Sequence, residues 1–119
     1  MSITPVAINL SGVIAGTYVN GNFFSHSFIR DPSGVITDFD MVHSTGRYSN
    51  GINDSNLLVG GWTDFGHVGA GFMRDASGTM IPFPVPGADH GTYPTSISKA
   101  GRITGFYGDA ASIVHGFAK

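Results

Sequence analysis

Leu57-Leu58-Val59-Gly60-Gly61-Trp62-Thr63 is an apolar run with glycine at its centre, and Gly71-Phe72-Met73-Arg74-Asp75-Ala76-Ser77-Gly78 follows shortly after it. The first stretch reads as a strand whose interior glycine needs a reason, since glycine weakens a strand unless a bulge or a close backbone requires it. The second reads as a strand ending in a turn, because Asp bonds its own backbone there and Gly supplies positive φ. Neither carries a helical apolar stripe with caps.

The pair recurs along the chain. A shift of 44 residues carries Ile8 to Ile52, Asn9 to Asn53, Gly16 to Gly60, Phe28 to Phe72, Arg30 to Arg74, Asp31 to Asp75, Gly34 to Gly78 and Phe39 to Phe83. A further 45 carries Ile52 to Ile97, Gly60 to Gly105, Trp62 to Tyr107, Asp64 to Asp109 and Phe72 to Phe117. In all three copies, 12 residues separate the glycine from the phenylalanine. A register kept that tightly marks an internal repeat. The 119 residues form one repeat domain, with units of about 5–49, 50–94 and 95–119, the last incomplete.

Each unit divides into four short strands. The first covers Val6–Asn9, Gly51–Asn53 and Ser96–Ser98, and the second Val13–Val19, Leu57–Thr63 and Arg102–Gly108. The third covers Ser27–Arg30, Gly71–Arg74 and Gly116–Ala118, and the fourth Val35–Phe39 and Thr79–Phe83. Four-stranded antiparallel units of this length predict an all-β fold of β-propeller blades, nearly three per chain. A propeller needs at least four blades, so a ring completed by identical chains, two or three of them, is expected. The alternative is a β-trefoil or β-prism with pseudo-threefold symmetry, although the Gln-x-Trp and Gln-x-Asp-x-Asn-x-Val-x-Tyr repeats of lectins with those folds are missing.

Composition narrows the function classes. Charged residues make up 12% of the chain, and the six Lys and Arg residues are scattered singly, so phosphate neutralisation has little to work with. No nucleic-acid partner is expected, and the same scatter argues against a membrane partner. No apolar run approaches the ~20 residues that span a bilayer. Cysteine is absent, which removes disulfides, thiol nucleophiles and sulfur-ligated zinc. Met1-Ser2-Ile3-Thr4-Pro5 does not read as a secretion signal, and sequence leaves the compartment unassigned.

The triplets His26-Ser27-Phe28, Ala70-Gly71-Phe72 and His115-Gly116-Phe117 each end 12 residues after a glycine in an apolar strand. On these residues the repeat resembles the bacterial extracellular His-Ala-Phe repeat family, from about Val6 to Phe117, with Ala70 departing from the pattern. The resemblance implies propeller-like repeats and an extracellular setting, and it implies no activity.

Candidate binding residues gather between the fourth strand of one unit and the first strand of the next. Asp40–Tyr48 carries His43, Arg47 and Tyr48, and Pro84–Tyr93 carries Asp89, His90 and Tyr93. Both tyrosines stand four residues before the aligned isoleucine. In a propeller such crossings border the clefts between blades, where an aromatic ring with polar neighbours suits a sugar's apolar face and hydroxyl rim. Packing of the same tyrosines between units is the plainer reading. Trp62 belongs to a repeated trio with Tyr18 and Tyr107, read as inter-unit packing or as a pocket wall. His26 and His115 are expected to bond a neighbouring unit's backbone.

Catalytic machinery is not recognisable. There is no Gly-x-Ser-x-Gly elbow, no phosphate loop and no carboxylate pair outside the repeat's turns. Asp64 and His67 are too few for a metal site. The expectation is therefore a non-enzymatic, multivalent binding module without cofactor or metal, lectin-like, taking glycans or small polar ligands at Tyr48, Tyr93, His43, His90, Arg47, Asp89 and Trp62. A structural scaffold assembly without a small-molecule site is the alternative.

Overall fold

The computed structural model describes residues 2–22, 24–39, 44–64 and 69–119, without the side chains of 44–47 and 64. Eleven strands and no helix occur among the described residues. The first sheet runs β1 (Ser2–Ile8), β2 (Ile14–Val19), β3 (Ser25–Arg30) and β4 (Ile36–Phe39), each strand antiparallel to the last. The second repeats this order with β5 (Ser44–Ile52), β6 (Leu58–Asp64), β7 (Gly69–Arg74) and β8 (Met80–Phe83). The third has three strands, β9 (Thr92–Ile97), β10 (Ile103–Gly108) and β11 (Val114–Ala118).

The constant spacing of 12 is a hairpin register. Gly16, Gly60 and Gly105 lie directly opposite Phe28, Phe72 and Phe117 on the neighbouring strand. A Cβ on Gly60 would stand 2.7 Å from Phe72 Cζ, and one on Gly16 2.6 Å from Phe28 Cζ. The ring and a first-strand carbonyl, of Thr4 at Gly16, Tyr48 at Gly60 and Tyr93 at Gly105, together take the space a side chain would need. The following turns behave as the sequence implies. Asp31 Oδ1 and Asp75 Oδ1 accept the Val35 and Thr79 N–H groups at 2.9 Å, while Gly34 and Gly78 take φ of +98° and +92°.

Second, third and fourth strands begin and end close to their expected places, but the first strands do not. β5 and β9 start well before Gly51 and Ser96, so Arg47, Tyr48 and Tyr93 belong to strands rather than to connections. Polar residues in one case and Pro94 in the other disguise them, because proline removes a ladder donor. Pro94 is tolerated at a register shift, where the ladder is already interrupted.

β5 lies on the first sheet and β9 on the second, and each closes a core. Leu58, Phe72 and the half-buried Trp62 and Met80 pack on Val13, Ala15 and Phe39 of the first sheet. The opposite face of the second sheet, with Val59, Met73 and Phe83, packs on Ile97, Ile103 and Phe117 of the third. Phe39 meets Phe72 edge-on at 6.0 Å, and Phe83 meets Phe117 at 6.2 Å. The ends of the first strands are laced together: Asn9 Nδ2 donates to the Asn53 carbonyl, and Asn53 Nδ2 to the Ser98 carbonyl, both at 3.0 Å. The second sheet is thus covered on both faces, and the outer two on one.

Candidate functional site

At one repeat position every first strand has a residue passed over by the ladder, and β5 skips Thr45 as well. The pairing steps from Pro5 to Ala7, from Ser49 to Gly51 and from Pro94 to Ser96, leaving Val6, Asn50 and Thr95 as bulges at the same place in the repeat. A bulge bends its strand and re-aims the extra side chain. Asn50 and Thr95 line a groove of about 350 Å³ where the second and third sheets meet, together with Tyr48, Tyr93 and Phe106. Its floor includes Gly61 and Pro94.

Three aromatic rings dominate the groove. Tyr93 stacks on its cross-strand partner Phe106, with centroids 5.0 Å apart and planes 22° from parallel. Tyr48, Tyr93 and Phe106 stay 50%, 38% and 42% exposed, large apolar surfaces left open to solvent. Asn50 Nδ2 donates to the Pro94 carbonyl at 2.6 Å and so ties the two sheets at the groove. Thr95 Oγ1 donates to the Thr104 carbonyl at 3.2 Å. A smaller hollow of about 70 Å³ adjoins Tyr48 and Tyr93 and is bounded by Trp62, Gly69 and Ala70. The Tyr93 ring rests on bare backbone there, since a Cβ on Gly69 would lie 2.8 Å from its Cε1 atom.

The structure therefore gathers Tyr48, Tyr93 and Trp62, and it leaves Asp89 and His90 apart from them. Asp89 and His90 are exposed on the connection ahead of β9 and line neither space. The His90 ring is held by the Asp109 carbonyl, and its own carbonyl accepts the Tyr93 hydroxyl at 3.3 Å, so it braces the groove from behind. His43 lies outside the described residues, as does the Arg47 side chain, whose backbone pairs with Trp62. Sequence reasoning missed Asn50, Thr95 and Phe106. Asn50 and Thr95 each follow a singled-out tyrosine by two residues, which was the available signal. Phe106 stands where the other units have Thr17 and Gly61.

The repeated histidines share one arrangement. His26 stacks on Tyr18 at 5.0 Å and His115 on Tyr107 at 5.1 Å, each on its cross-strand partner. Each also reaches the turn of its own unit, His26 at Asn20 and His115 at Asp109. In the second sheet, Trp62 faces Ala70 instead. The larger indole there stands opposite the smaller side chain, and both border the hollow of about 70 Å³. Its N–H is buried without a partner among the described residues. The Tyr18 hydroxyl donates to Asp38, and the place of Asp38 is taken by Pro82 in the second unit.

Charge sits away from the groove. The bond from His115 and then the Ile113 N–H hold the Asp109 carboxyl below the usual range. Asp31 and Asp75 are lowered first by the Ser33 and Ser77 hydroxyls, then by the Val35 and Thr79 N–H groups. Burial pushes the Arg74 guanidinium down while Asp75 opposes the shift, and the group lies 5.0 Å over the Phe39 ring. Among the described residues, the groove lining contains no acidic, basic or histidine side chain. No cluster of three or more His, Cys, Asp or Glu suited to a metal occurs among the described residues. Compared with known proteins, the chain matches no family model and no curated protein.

Proposed function

We propose that the chain is a non-enzymatic binding module that holds a neutral, amphipathic ligand, a glycan by preference, in the groove between its second and third sheets. One observation carries the reading: Tyr48, Tyr93 and Phe106 present exposed ring faces beside the amide of Asn50 and the hydroxyl of Thr95, with no charged side chain among the described lining residues. A pyranose offers a matching apolar face and hydroxyl rim. The uncharged wall favours neutral sugars over sulfated or acidic ones.

The sheets are read as propeller-type blades. The strand order of each unit and the side-by-side first strands, laced at Asn9, Asn53 and Ser98, support blades over a trefoil or prism. The likeness to His-Ala-Phe repeats belongs to the same proposal. The groove forms at one of the two junctions, since Thr4 and Val6 replace Tyr48 and Asn50 at the first. Multivalency on this reading comes from several chains, which gain by avidity.

Trp62 is the single tryptophan and borders the adjoining hollow, so its fluorescence reports on occupancy. Titration with neutral oligosaccharides is expected to shift that emission saturably, and Tyr48→Ala or Tyr93→Ala to weaken binding at least about tenfold, the effect of ~1.4 kcal/mol. No response across varied sugars, or unchanged affinity in both variants, overturns the groove.

A further inference from the structure

We propose that the open face of the first sheet receives the open face of the third sheet of a second copy of this chain, head to tail, using the same contacts that join the sheets within one chain. The inference rests on the reading of the units as stacked blades.

Every unit has a face that packs on the sheet before it and a face that packs on the sheet after it. Ile14, Leu58 and Ile103 occupy one repeat position on the first of these faces. Leu58 is fully buried and Ile103 is 5% exposed, each against a preceding sheet, whereas Ile14 has none and is only half-buried. Ile36 is 60% exposed, while its counterpart Met80 packs into the core. Together with Ile3, Pro5, Tyr18 and Phe28 these side chains surround a largely apolar hollow of about 370 Å³, which Arg30 and Asp38 also line. The face is built like its two buried counterparts and has no cover, a condition soluble monomers avoid.

The complementary half is exposed at the other end of the molecule. Ala15 and Val59 are fully buried by the following sheet, and the matching Thr104 of the third sheet is exposed. Ser27 and Gly71 are buried, and the matching Gly116 is exposed. The chain therefore carries both halves of its own internal junction. A heterologous contact of this kind repeats from copy to copy and closes a ring where the rotation allows.

A rule seen at the two internal junctions names a contact at the third. Thr17 meets Ser49, whose N–H donates to the threonine hydroxyl at 3.2 Å. Gly61, which offers no acceptor in its side chain, shares the groove floor with Pro94, which has no N–H. The next pair in the series is Phe106 with Pro5 of the second copy, again without acceptor and without donor. Phe106 is 42% exposed, and Pro5 lines the apolar hollow. One rung is absent: Ser98 replaces the lacing asparagine, and its hydroxyl accepts the Arg102 N–H at 3.0 Å. The junction between copies is accordingly weaker than those inside the chain.

Sedimentation over a range of concentrations tests the assembly. The unaltered chain is expected to associate into species of whole-chain multiples. Ile36→Glu blocks the first face and Ala118→Glu the second, and neither residue lines the groove; each variant alone is expected to sediment as a monomer. Mixed in equal amounts they are expected to form a one-to-one pair, because each contributes one intact face. Ile3→Glu, at a residue 59% exposed, replaces Ile36→Glu should that variant lose its β-sheet circular dichroism. A monomer at every concentration, variants that still associate alone, or a mixture that fails to pair overturns the proposal. Sugar titration of the unaltered chain beside its sedimentation separates the two readings, since binding by a chain that never associates refutes only the docking surface, and association without binding only the groove.

Discussion

At position 70 a small side chain faces a large one, and in the two other units a histidine faces a tyrosine. Volume is conserved across the pair, which is how packed interiors tolerate change. Ala70→His alone is expected to destabilise the fold by about 1–3 kcal/mol through crowding. Adding Trp62→Tyr should recover ~1 kcal/mol or more of that loss, measured as coupling in a double-mutant cycle by urea unfolding. Independent, additive effects would mean the two side chains do not share one space. Phe72, fully buried over Gly60, is the other informative residue. Phe72→Ala is expected to cost about 3–5 kcal/mol, and a midpoint within error of the parent would show the ring is not core. The glycine–phenylalanine pairing was legible because a cross-strand pair in a fixed hairpin leaves a constant spacing. Asn50 and Thr95 were not legible as groove residues, since a bulge follows from how two strands register and leaves no composition of its own.

Among the elements, the turns at Asp31 and Asp75 were readable from Asp and Gly, while the turn at Asp109 has no glycine and gives its positive φ to Ser112, and the first strands were hidden by polar residues and proline. Asn53 shows what lacing contributes. Its Oδ1 atom accepts the Ser55 and Leu57 N–H groups, and Nδ2 crosses to the third sheet. Asn53→Ala leaves those groups unpaired and is expected to cost about 1–3 kcal/mol. Asn53→Ser should cost less, because a hydroxyl keeps the turn bond as Ser98 does; equal losses in thermal unfolding would contradict that division. The turn carboxylates also set the acid limit. Their folded pKa values are depressed, so between folded and unfolded values the unfolded chain binds more protons. Stability is then complete above about pH 5 and falls as pH drops below about 4. Asp31→Asn with Asp75→Asn should flatten that decline in thermal midpoints, and an unchanged slope would exclude these turns as its source.

For the whole molecule, the repeat length gave the number and order of sheets, but not which sheet pair would open a groove. That depended on Phe106 and Gly61, which differ between units and so escape any reading based on recurrence. Amide exchange is expected to be slowest in β6 and β7, which lie in the sheet covered on both faces, and faster in β1 and β11 at the edges. Equal protection in all three sheets would mean the units do not rely on one another. Finally, consider the unpaired residue in each first strand. Val6, Asn50 and Thr95 stand outside the ladder, so exchanging them leaves the pairing of their strands intact. On the binding proposal, Thr95 is then the place where the groove can change its lining at least expense to the frame, whereas Asn50 also holds two sheets together through the Pro94 carbonyl.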